Sequence, residues 1–188
     1  MRSLFSVFFA LLSLSLTAKD NNASKKELGK LWAQYEESRM QDLPETSVGI
    51  LEKIKEKALN EHLAADFHDA LNNLYSIKIS ENWKLRESLS EKYGKEVEKF
   101  DEPIVSFLFA QNDYSKSGGE IRKNLQRIIK ENADRLKSRK NTYFYSSVSA
   151  LDGIIGKTIS DDYEYCLWEI NDYNALAEHI GERSPACA

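Results

Sequence analysis

The residues able to do chemistry in this chain are three histidines, two cysteines and a large set of carboxylates. His62 and His68 stand six positions apart, which puts them on different faces of a helix, and His179 is remote from both. Sequence-local metal binding asks for i, i+4 spacing or a convergent third ligand, so no metal site is expected. The adjacent acids Glu36-Glu37 and Asp161-Asp162 have the chemistry of a general acid–base pair. Such pairs work only in a cleft that drives their pKa values apart, and at helix starts acids serve capping and the macrodipole instead. Ser117-Gly118-Gly119 ahead of a helix offers free N–H groups to an anion. It lacks GxxxxGK[ST] and a preceding strand, so it reads as a flexible hairpin loop. Neither GxSxG nor CxxC occurs, and no cysteine has a plausible base partner. The expectation is a protein with no catalytic residues and no cofactor. A hydrolase with a site invisible in sequence is the rival of a different class, and an activity-based probe on Cys166 discriminates the two.

The large aromatics follow a helical stripe. Trp32, Tyr35, Phe67, Trp83, Tyr93 and Trp168 read as packing ridges between helices, with the lining of a groove as the alternative. Cys166 lies within an apolar helical pattern, where a thiol packs as a small hydrophobe. One bridge to Cys187 is the other reading, which export would permit.

These side chains need helices to position them. Leu28, Leu31, Trp32 and Tyr35 predict a helix over about 24–40. Asp42-Leu43-Pro44-Glu45 predicts a restart, with Asp42 as cap, Pro44 in the first turn and Glu45 reaching back. Val48, Leu51, Ile54 and Ala58 form the inward stripe of the second helix, and the short connection makes the pair antiparallel. Leu63, Phe67, Ala70, Leu71, Leu74 and Ile77 mark a third helix, ending at a junction over Ser80-Glu81-Asn82. Trp83, Leu85, Leu89, Tyr93 and Val97 mark the next, with Gly94 as a weak point. Asp101-Glu102-Pro103 starts a helix apolar on all sides through Ala110, one that must be sandwiched. Ile121, Leu125, Ile128, Ile129 and Leu136 predict one long helix after the break at 115–119. Asn141 to Thr158 reads as mostly loop with a short helical turn, or short extended pieces. Ser160-Asp161-Asp162 caps a helix carrying Tyr163, Cys166, Leu167 and Ile170. Asp172 caps the last helix, with Tyr173, Leu176 and Ile180 inward and Gly181 as its stop. The fold class is therefore all-α, with antiparallel helix pairs in a TPR-like α-solenoid array and one irregular segment near 141–158. The strict tetratricopeptide pattern is absent.

Composition sets the compartment. Arg2, an apolar run from Leu4 to Leu16 and the polar Thr17-Ala18-Lys19 follow the plan of a secretory signal peptide over residues 1–18. An uncleaved anchor is the alternative. The remaining 19–188 suit a single helical-repeat domain, exported to the periplasm or cell envelope, with no membrane span after cleavage. The formal charge is −4, and −5 without Arg2, which argues against nucleic acid. Lys25-Lys26 and Arg135 to Lys140 are the basic clusters, read as solvated helix faces.

Three stretches carry a resemblance: Leu31-Trp-Ala-Gln-Tyr35 with Asp42-Leu-Pro-Glu-Thr46, Ile54-Lys-Glu-Lys-Ala58, and Asn82-Trp-Lys-Leu-Arg-Glu-Ser88. Glu98 to Pro103 and Asp162 to Trp168 continue it. With the signal peptide, they resemble the N-terminal helical region of the large alpha-2-macroglobulin-like exported proteins of Bacteroidota. The resemblance implies a helical segment that precedes β-sandwich domains in a protease-trapping protein. Its thioester motif, Cys-x-Glu-Gln, is not carried over, since Cys166 is followed by Leu-Trp-Glu. The chain then reads as a truncated or solo copy of that segment. The function expected is a non-enzymatic scaffold or protein-binding module whose partner is an envelope protein or the macroglobulin domains. An independent TPR-like adaptor for an envelope protein or peptide is the alternative.

Overall fold

The computed structural model describes residues 25–140 and 159–183, with side chains described through Ile180. Residues 1–24, with the expected signal peptide, the segment 141–158 and the tail from 184, with Cys187, lie outside the described residues. The described chain is all-α, without a strand and with one isolated bridge between Lys140 and Asp161. It divides into two compact units, the first ending at Ile77 and the second beginning at Lys78, near the end of one helix.

The first unit holds α1 (25–40), α2 (Pro44–Asn60) and most of α3 (Ala64–Glu81). The predicted stripes are buried: Leu51, Ile54 and Ala58 on α2, and Phe67, Ala70, Leu71 and Leu74 on α3. The hydroxyls of Ser38 and Ser47 meet at 2.7 Å, while Lys57 pairs with Glu27 at the other end, so α1 and α2 run antiparallel. Trp32 Nε1 donates to Asp66 at 2.7 Å and Tyr35 Oη donates to Asn73 at 2.9 Å, which aligns α1 with α3.

The turns between these helices share one backbone device. After α1, Asp42 takes the left-handed conformation at φ 54°, its N–H bonds to Arg39 O and that of Leu43 to Ser38 O. After α2, His62 at φ 55° does the same, with Leu63 N–H reaching Ala58 O. This Schellman pattern satisfies the last carbonyls of each helix. Asp42 therefore ends α1 rather than capping α2: the α2 cap position is Leu43, with no side-chain bond, and Pro44 follows. The expected capping box is absent, because a residue committed to the left-handed turn cannot also take the extended cap conformation.

The second unit continues with a 3-10 turn (Trp83–Leu85) capped by Asn82, then α4 (Arg86–Phe100), α5 (Pro103–Gln111), α6 (Gly118–Glu131), α7 (Ala133–Lys137), α8 (Asp162–Glu169) and α9 (Tyr173–Arg183). Helix α5 packs against α4, α6, α7 and α8, as its all-round apolar sequence requires. Ile104, Phe107 and Leu108 are buried in that contact, and Phe107 meets Tyr165 of α8 edge-on at 6.5 Å.

Four local expectations change. Ser117 is the N-cap of α6 in a complete capping box with Glu120, so Gly118 and Gly119 belong to the helix and not to a loose hairpin. The expected long helix divides at Asn132, whose amide donates to Ile128 O at 3.0 Å. Tyr173 is exposed rather than inward, although Leu176 and Ile180 are buried. Gly181 does not stop α9, which runs to Arg183. The third Schellman turn, at Asn171 with φ 59°, joins α8 to α9, and Asp172 caps α9 through Ala175 N as expected.

Candidate functional site

The six aromatics chosen from the sequence fall in both units: Trp32, Tyr35 and Phe67 in the first, Trp83, Tyr93 and Trp168 in the second. Tyr35, Phe67 and Tyr93 are buried core residues. Trp32 is half-buried over a shallow concavity in the first unit, beside Tyr35, Glu36, Arg39, Asp69 and Asn73, and Trp168 is half-buried against Tyr165. Trp83 departs most from the packing expectation: it is 54% exposed, with the Arg86 guanidinium over its ring. The 3-10 turn breaks the helical phase that would have carried Trp83 inward.

The second unit carries a groove of about 420 Å³ between α4, α5 and α6. Its floor includes Val97, Pro103, Phe109, Ala110 and Ile128. Glu98, Asp101, Glu102, Asp113 and Glu131 supply carboxylates, against the guanidiniums of Arg127 and Arg135. Arg135 ties α7 to the end of α4 by donating to Asp101 Oδ1 at 3.0 Å and to its main-chain oxygen. Arg127 pairs along α6 with Glu131. Arg135 of the basic cluster is thus held at this rim, and Arg139 donates to Glu102 and faces Asp162 Oδ2 at 3.8 Å.

A second constellation lies where α8 meets α9. Asp161, the N-cap of α8, accepts from Glu164 N through Oδ1 at 2.8 Å. Glu164, fully buried, accepts from Ser160 N through Oε2 at 2.8 Å. The other oxygen of each faces the same imidazole: His179 Nε2 stands 3.3 Å from Asp161 Oδ2 and 3.8 Å from Glu164 Oε1. Tyr163 packs edge-on to the His179 ring at 5.1 Å, with Lys137 Nζ over the Tyr163 face. Sequence reasoning read the Asp161 cap correctly but missed this convergence. The i, i+3 spacing of Asp161 and Glu164 was the available signal; His179 arrives from another helix.

Burial governs titration nearby. The Asp162 carboxyl is pushed up to about 6, chiefly by burial, with Arg139 opposing and Asp161 assisting. The free Cys166 thiol is driven well above its ordinary value by burial, then by the charges of Asp162, Glu169 and Asp161. Burial likewise raises the Tyr165 phenol, with Glu169 adding to the effect. The thiol and the phenol are thereby held in their neutral forms, the reverse of an activated nucleophile.

No protein-family model, curated protein or solved structure matches this chain.

Proposed function

We propose that this chain is a non-enzymatic, exported helical module that binds a polypeptide segment in the groove between α4, α5 and α6. The observation that carries the reading is the groove's make-up: a mainly polar lining in which five carboxylates face two guanidiniums, over buried apolar residues. Such a surface favours an extended segment bearing lysine or arginine. The unreactive state of Cys166 and Tyr165 supports a binding role over nucleophilic chemistry. The sequence resemblance to the N-terminal region of alpha-2-macroglobulin-like exported proteins supports a place beside larger envelope domains, the helical unit serving as scaffold.

Fluorescence anisotropy with labelled, unstructured peptides of basic, neutral and acidic composition tests the reading. Basic peptides should bind, with an affinity that falls as salt rises. Glu98→Lys should weaken them and Ser90→Trp should obstruct the groove, both with unchanged helical circular dichroism. The reading fails if no peptide binds, or if both variants bind basic peptides as the parent does.

A further inference from the structure

We propose that Asp161, Glu164 and His179 form a site for a divalent transition-metal cation, with Zn²⁺ the best match to the donor set. The three side chains offer one atom each, all within 4.8 Å of one another. Two carboxylate oxygens and one imidazole nitrogen suit Zn²⁺, which takes such ligands at about 2.0–2.2 Å in a tetrahedron. Donors so placed lie about 3.3 Å apart. The distances from His179 Nε2 to the two facing oxygens, 3.3 and 3.8 Å, lie close to that separation. A fourth, open position would fall to water or a partner's side chain.

Two features beyond the presence of acids favour a cation. The donor set is mixed and comes from two helices, joined by the turn at Asn171, so the site would lock α9 onto α8. Each carboxylate also has its remaining oxygen held by a main-chain N–H, Glu164 N on Asp161 and Ser160 N on Glu164. That support fixes the direction in which Oδ2 and Oε1 point before any ion arrives, as outer hydrogen bonds do in metal sites. A divalent cation also matches the charge of two carboxylates, both of them buried.

The probe is Co²⁺, added to purified full-length protein first stripped with chelator, in a Cys187→Ala background that removes the tail thiol. Visible absorption bands of tetrahedral cobalt should saturate at one ion per chain and be displaced by Zn²⁺. Asp161→Asn preserves the helix cap and should weaken binding at least about tenfold, as should His179→Gln. Both variants should keep their helical circular dichroism, and Zn²⁺ should raise the thermal midpoint of the parent but of neither variant. Absence of a saturable cobalt spectrum overturns the proposal. So does one that both variants retain, which would place the ion elsewhere and leave His179 as an ion-pair partner only. Peptide binding is measured separately and does not enter this outcome.

Discussion

At the residue scale, the chemistry of this chain is shaped by what burial does to its ionisable groups. Cys166 is the clearest case: the thiolate is the reactive form, and here it is suppressed. In the Cys187→Ala background, iodoacetamide should leave Cys166 unmodified in the folded chain and alkylate it readily in guanidinium. Rapid labelling of the folded chain would contradict the burial argument and revive a nucleophilic role. Asp162 gives a pH dependence with a definite sign. Its folded pKa, about 6, lies above the ordinary 3.8, so the folded chain holds this proton more tightly than the unfolded chain does. That stabilisation is present in full below the ordinary value and is lost as pH rises through about 6. With chelator present, the thermal midpoint should therefore carry a downward contribution between about pH 4 and pH 6. Asp162→Asn should flatten that slope and stabilise the chain by about 1 kcal/mol at neutral pH. An unchanged slope in the variant would assign the effect to other groups.

At the element scale, helix ends decide more than helix interiors. Ser117 and Glu120 close both sides of the α6 capping box, so the N–H groups of these two residues are taken by the protein's own side chains. Ser117→Ala should cost about 1 kcal/mol in denaturant unfolding, and a negligible change would show the box to be idle. The left-handed turn at Asp42 leads to the opposite prediction. Glycine pays no Cβ penalty there, so Asp42→Gly should stabilise by about 0.5–1 kcal/mol, while Asp42→Ala should not. Within the second unit's core, Phe107 is fully buried and in contact with Tyr165, and Phe107→Ala should cost about 3–5 kcal/mol. These elements were legible in the sequence to differing degrees. The stripes on α2, α3 and α5 could be read directly, because burial imposes a period on apolar residues. The ends were harder, since Asp42 and Asp161 are the same residue type in opposite roles: one terminates a helix and the other begins one.

At the scale of the whole molecule, the charge and length of the chain set its class, and the arrangement of its helices sets its surfaces. The proposed groove is built from Val97, Pro103 and Ile128 on three different helices. On the proposed reading, a binding module in which Cys166 does not match the thioester motif should trap nothing by itself. Incubated with broad-specificity proteases, the purified chain should be a bystander or a substrate; stoichiometric, covalent capture of protease would overturn the binding-module reading. The amino-acid sequence by itself determined the all-α class, the inward stripes and most helix starts, because each is fixed by residues within a turn or two of one another. Tertiary structure alone decided that the aromatics divide between core and surface and that His179 meets Asp161 and Glu164. Those outcomes depend on which helix packs beside which, and the distances involved are set across helices whose residues lie far apart in the chain.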